Sequence, residues 1–162
     1  MKKGFSLIEI LVVIALFAVL SIIATQSLTL TIRGMKKTDN TTKVRESLDF
    51  AMGVISRNLR NADSLTTICP NSDTSRIDYM DQNGLTASFS CQNIGVNGYV
   101  ASSSARLTND SIVISSCSFQ CGAGSNNVPP YVVINLTGKN AGVTNAESGS
   151  YDVSTRVLLR TY

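Results

Sequence analysis

The sequence predicts an α+β fold, a long N-terminal helix packed on an antiparallel β-sheet head, on three observations. Residues 5–25, FSLIEILVVIALFAVLSIIAT, form a near-continuous apolar run of the length a bilayer-crossing helix needs. From Val44 to Ala62 the apolar residues recur at steps of three and four. After Ala62 the texture changes to short alternating runs separated by Asn, Asp, Ser and Gly, the pattern of half-buried strands joined by turns. These divide the chain into a leader at 1–4, an apolar helix at 5–25, its amphipathic continuation at 26–62 and a β-rich head at 63–162.

The leader is Met1-Lys2-Lys3-Gly4, and the apolar run behind it carries a single charge, Glu9. A carboxylate at mid-bilayer costs on the order of 2–3 kcal/mol on insertion scales, so its presence needs a compensating partner. Lys2 and Lys3 orient the segment, because basic residues flanking an apolar span stay cytoplasmic and send the rest of the chain outward. A secretory signal peptide would have an uncharged core and a small-x-small cleavage site, which Leu20-Ser21-Ile22-Ile23-Ala24 lacks. A plain single-span anchor explains the length and leaves Gly4 and Glu9 as coincidences, and a lipoprotein signal would need a cysteine before Cys69.

MKKG followed by FSLIEILVVIALFAVL resembles the class III signal peptide of type IV pilins and the related pseudopilins. The resemblance implies that a prepilin peptidase cuts after Gly4, that Phe5 becomes the N-methylated first residue, and that Glu9 serves processing or assembly. It implies a pilin-like fold and a filament whose core is the packed apolar helices. The partners it implies are other pilin subunits, the cytoplasmic membrane, and a membrane assembly platform with its ATPase. An amine freed on Phe5 would lie one helical turn from Glu9, so the two could neutralise each other within one chain or between neighbours. Many pilins carry a proline near where Gln26 stands here, and this chain lacks that weak point.

The amphipathic segment places Val44, Leu48, Met52, Ile55, Leu59 and Ala62 on one stripe and Lys43, Arg45, Glu46, Asp49, Arg57 and Arg60 on other faces. No proline interrupts residues 1–62, so one helix can run nearly the whole way, with a break or bend expected around Gly34 and Lys36–Thr42. Strands are expected at Arg76–Met80, Leu85–Cys91, Ser111–Ser115, Tyr131–Leu136 and Val153–Thr161. Asp81-Gln82-Asn83-Gly84 is a hairpin turn and Pro129-Pro130 a strand start. Residues 92–98, 122–128 and 138–150 read as loops.

Cys69, Cys91, Cys117 and Cys121 all lie in the exported part, where disulfides are the first expectation. Three pairings exist. A Cys69–Cys91 bridge would tie the helix exit to the first hairpin, leaving Cys117–Cys121 as a local clasp that requires a turn at Ser118–Gln120. Zinc is the alternative, yet CSFQC at 117–121 is the only close pair.

The chain of 162 residues has a formal charge of +3, of which Lys2 and Lys3 supply two, so the head has no bulk basic character. Arg76, Arg106 and Lys139 are scattered, and nothing in the sequence specifies a nucleic-acid partner. Histidine is absent and no GxSxG, Walker loop or HExxH occurs, so neither catalysis nor a cofactor is expected. Asp78 and Asp81 read as edge and turn polarity. The sequence therefore reads as a structural subunit of a type IV pilus-like filament, a pilin or a minor pilin or pseudopilin. The alternatives are a pilin-like subunit binding DNA or a surface, and a single-span anchored extracytoplasmic domain. Through the same resemblance, Arg57, Arg60 and Arg160 suggest the minor-pilin or J-type pseudopilin branch.

Overall fold

A computed structural model describes residues 6–67, 73–122, 129–143 and 147–160. Its one helix, α1, runs from Leu7 to Arg60 without interruption. The break expected at Gly34 and Lys36–Thr42 is absent. Threonines in that stretch are accommodated with their hydroxyls satisfied on the helix itself: Thr38, Thr41 and Thr42 each donate to the carbonyl four residues earlier, at 3.1, 2.9 and 3.0 Å. The helix ends at Asn61, with Arg57 and Arg60 in the last turn, where cations complement the helix dipole.

Eight strands follow: β1 (Ser64–Leu65), β2 (Arg76–Met80), β3 (Thr86–Gln92), β4 (Tyr99–Ser102), β5 (Ala105–Arg106), β6 (Ile112–Gly122), β7 (Tyr131–Asn140) and β8 (Ser150–Leu158). They form two antiparallel sheets instead of one, in the orders β1-β2-β3-β4-β5 and β6-β7-β8. The β2–β3 hairpin closes as its sequence predicts. Gly84 takes a φ of 75°, Asp81 N–H donates to the Leu85 carbonyl at 2.9 Å, and Met80 faces Thr86.

β6 is longer than the expected Ser111–Ser115. Its register slips between Ile114 and Ser116, and this bulge reverses the alternation. Ile112 and Ile114 face the core before it; Phe119 and Cys121 face the same core after it. β7 likewise continues past Leu136 through Gly138 and Asn140, into residues expected to be loop, and β8 begins at Ser150, earlier than Val153. Of the loop expected at 122–128, Gly122 is the last residue of β6 and residues 123–128 lie outside the described residues.

The helix packs mainly on β7 and β8. Val44, Leu48, Ile55 and Leu59 are fully buried, so the stripe read from the sequence is the face that meets the sheet. Gly138 in β7 allows this approach: a Cβ there would sit 3.1 Å from Leu48 Cδ1 and 3.4 Å from Val44 Cγ1. The five-stranded sheet adds Ile77, Tyr79, Phe89 and Val100 to the same core, with the Tyr79 and Phe89 rings stacked at 5.3 Å between centroids.

Among the described residues, three contacts stand out in closing the seam between the sheets. Thr74 and Phe119 exchange two backbone hydrogen bonds of 2.9 Å each. Ile114 N–H donates to the Gly98 carbonyl at 2.8 Å. Cys91 in β3 is bonded to Cys117 in β6. This corrects both expected cysteine pairings: Cys91 does not bond Cys69, and Cys117 does not bond Cys121. The clasp fails because β6 is extended through Ser118–Gln120, and a strand carries cysteines four apart beyond bonding distance. Cys121 is itself disulfide-bonded, and Cys69 lies outside the described residues.

Candidate functional site

The apolar segment is built outward from Ser6, whose backbone is extended and whose carbonyl accepts from Glu9 N–H at 3.0 Å and Ile10 N–H at 3.3 Å. Helix begins at Leu7 and Glu9 stands in its first turn, where the helix dipole favours a carboxylate. Gly4 and Phe5, with Lys2 and Lys3, lie outside the described residues, so the expected register between Phe5 and Glu9 does too.

Every residue from Ser6 to Asp39 is exposed. Leu7, Phe17, Leu20, Leu30 and Met35 are between 64% and 78% accessible, and they point to different sides of the helix, so no part of the head covers them. The helix is long and apolar enough to cross a membrane. An apolar side chain loses roughly 1.5–3 kcal/mol by staying in water instead of being buried, so this rod requires lipid or other chains around it.

Four of its hydroxyl side chains are satisfied on the helix itself. Ser21 Oγ donates to the Phe17 carbonyl at 2.8 Å, Thr25 to Ser21 at 2.8 Å, Thr29 to Thr25 at 3.0 Å and Thr31 to Ser27 at 2.9 Å. A hydroxyl paired with its own backbone loses little in an apolar medium, whereas an unpaired one costs several kcal/mol. Glu9 alone among the exposed residues from Leu7 to Ile32 brings a charge that the segment cannot satisfy internally.

The rod enters the head at Asn40 and Thr41. Gly149, just before β8, lies so close to the backbone of these two residues that a Cβ would overlap it. Asn40 Nδ2 donates to the Glu147 carbonyl at 2.8 Å. The buried Asn140 amide, with its nitrogen toward the helix, donates to the carbonyls of Gly149 and Asn40 at 3.2 Å each. These contacts fix where the rod leaves the head. Sequence reading missed them, although the glycines at 138 and 149, flanking the loop that meets the helix, were a signal of close approach.

The head offers little for chemistry. Asp78 accepts from Arg76 at 2.7 Å, and this carboxylate holds the Arg76 guanidinium above its ordinary pKa. Asp81 accepts backbone hydrogen bonds from Asn83 and Leu85 at 2.9 Å each; the Leu85 bond foremost holds its carboxyl below the usual range, against a smaller opposing effect of burial. Both carboxylates are thus occupied by local structure. Among the described residues no three His, Cys, Asp or Glu side chains gather as a metal site. An open groove of about 670 Å³ lies between α1 and the loop before β6, lined by Lys43, Glu46, Phe50, Leu107 and Asn109, and Glu46 is its only carboxylate.

Residues 1–25 match the family profile of the prokaryotic N-terminal methylation motif, the type IV pilin signal. No curated protein and no solved structure is significantly similar to the chain.

Proposed function

We propose that the chain is a structural subunit of a type IV pilus-like filament, a pilin or a minor pilin or pseudopilin, trimmed after Gly4 by a prepilin peptidase and N-methylated on Phe5. The observation that carries this reading is the methylation motif at 1–25 on a helix whose apolar surface from Ser6 to Asp39 is uncovered by its own head. Residues 1–4 are the leader, 5–25 the membrane and filament-core segment, 26–62 its amphipathic continuation and 63–162 the head.

The precursor waits in the cytoplasmic membrane with its head outside. Moving the rod from lipid to a bundle of identical rods exchanges one apolar surrounding for another, so the step changes little in hydrophobic free energy. Glu9 supplies the directional term. Its carboxylate in a dry core is stabilised only by a cation, and the amine freed on Phe5 of its own chain or a neighbour is the available one. The partners on this reading are the peptidase, further pilin subunits, and the assembly platform with its ATPase; the chain catalyses nothing and needs no cofactor. Its destination is an extracellular pilus or a periplasmic pseudopilus.

The test is intact mass and N-terminal peptide mapping of the chain recovered from membranes and from sheared surface material. A mature chain beginning at N-methylated Phe5 is expected. A chain that still begins at Met1 in cells with an active prepilin peptidase would sink the reading and leave a single-span anchor.

A further inference from the structure

Arg33, Lys36 and Lys37 are exposed on α1, and at 3.6 residues per turn they share one side of the helix, within an arc of about 100°. Asn40, Val44 and Leu48 continue that side upward, so the cations lie on the side that carries the head. Lys36 Nζ stands 4.0 Å from a Glu147 carboxylate oxygen, and Glu147 belongs to the β7–β8 connection that meets Asn40. The three cations therefore line the angle between the rod and the underside of the head, roughly 5 to 10 Å below Asn40 at the helical rise.

Their charge is not neutralised there. One turn higher, Lys43 pairs with Asp39 at 2.6 Å and Arg45 with Asp49 at 3.4 Å. Among the described residues neither Arg33 nor Lys37 has a carboxylate within ion-pairing distance, and Glu147 is a single, distant partner for Lys36. The charge begins where the apolar surface stops, since Leu30, Ile32 and Met35 are the last large exposed apolar residues of the rod.

Height along the helix identifies the ligand. From Leu7 to Lys36 the helix rises about 43 Å, which is the thickness of a bilayer including both headgroup layers. With Leu7 at the inner face, the three cations reach the outer phosphates. The geometry points to a docking surface for anionic phospholipid headgroups of the outer leaflet, with Arg33, Lys36 and Lys37 donating to phosphate oxygens and the head seated over them. This rests on the membrane-anchored, head-outward state of the proposed function, in which the leader motif and not the balance of flanking cations sets the orientation. The Arg33 fork suits a phosphate in two-point contact, and the lysine stems lie along the apolar boundary while their ammonium groups reach outward. Lipids with net negative charge are favoured over zwitterionic ones because the surface retains an excess of positive charge.

The test uses the full chain in phosphatidylcholine vesicles containing trace spin-labelled phosphatidylglycerol or spin-labelled phosphatidylcholine, reading the fraction of each label immobilised at the protein. The expected result is about a threefold preference for phosphatidylglycerol that shrinks with added salt. Most of it disappears in the triple variant Arg33→Gln, Lys36→Gln, Lys37→Gln and persists in Lys43→Gln; Lys2 and Lys3 are present throughout, so their own attraction cancels. Equal preference in wild type and triple variant would overturn the proposal while leaving the membrane reading intact. A wild-type chain that alkaline carbonate strips from the vesicles would overturn both. Loss of duplex DNA binding in the triple variant, with lipid preference unchanged, would overturn it in favour of nucleic acid.

Discussion

Cys91 in β3 and Cys117 in β6 are joined by a disulfide, their Cα atoms 5.9 Å apart, so that one covalent bond spans the seam between the two sheets. Backbone pairing at the seam is sparse beside that within each sheet, which makes the bond the strongest single tie between the layers. Replacing both cysteines by serine should lower the stability of the head by roughly 3.5 kcal/mol, the chain-entropy value for a loop of this length. Urea unfolding of the detergent-solubilised chain measures it. Non-reducing peptide mapping should link Cys91 to Cys117 and Cys121 to Cys69, the one cysteine that remains; a peptide joining Cys69 to Cys91 would contradict this.

Leu48 and Phe50 stand two positions apart on α1 with opposite fates, one fully buried and the other 62% exposed. Leu48→Ala should cost about 2–5 kcal/mol, because it removes transfer energy and leaves a cavity against β7. Phe50→Ala should change the stability of the head by less than about 0.5 kcal/mol. Equal losses would mean that the helix is rotated on the sheet.

Gly149 and Gly138 are sites of close approach with different tolerance. A methyl group on Gly138 meets the far ends of Leu48 and Val44, which can shift, whereas one on Gly149 meets helix backbone, which cannot. Gly149→Ala should therefore destabilise more than Gly138→Ala, with overpacking of this kind costing about 1–3 kcal/mol. Thermal unfolding of the two variants gives the order.

Asp81 ties the β2–β3 turn through the N–H groups of Asn83 and Leu85, and its carboxyl is held below the ordinary range. A depressed folded pKa stabilises the fold above the unfolded value near 4 and loses that contribution as pH falls through the folded one. Acid titration of wild type and Asp81→Asn should therefore converge as the pH falls below the ordinary carboxylate range, while the wild type is the more stable at neutral pH. A constant difference across that window would assign the Asp81 contribution to shape instead of charge.

The rod, the stripe and the first hairpin were legible in the sequence because each depends on neighbours in the chain. Residues 5–25 need only their own hydropathy, Val44 to Leu59 only the helical period, and Asp81–Gly84 only local turn chemistry. The continuity of α1 through Gly34 was less so. Glycine and threonine weaken a helix only on average, and here the threonine hydroxyls find partners on the preceding turn without interrupting the helix.

What only the tertiary structure decided involves residues distant in sequence. The bulge between Ile114 and Ser116 reverses the inward face of β6, so a reading by strict alternation stops at Ser115 although the strand runs to Gly122. That extension straightens Ser118–Gln120 and carries Cys117 to Cys91 in the other sheet. The meeting of Gly149 with Asn40 and Thr41, which places the head above Arg33, Lys36 and Lys37, likewise joins positions over a hundred residues apart. Local periodicity determined which elements form and which face of each is apolar; sheet register and close backbone packing, which no local pattern encodes, determined what those faces meet.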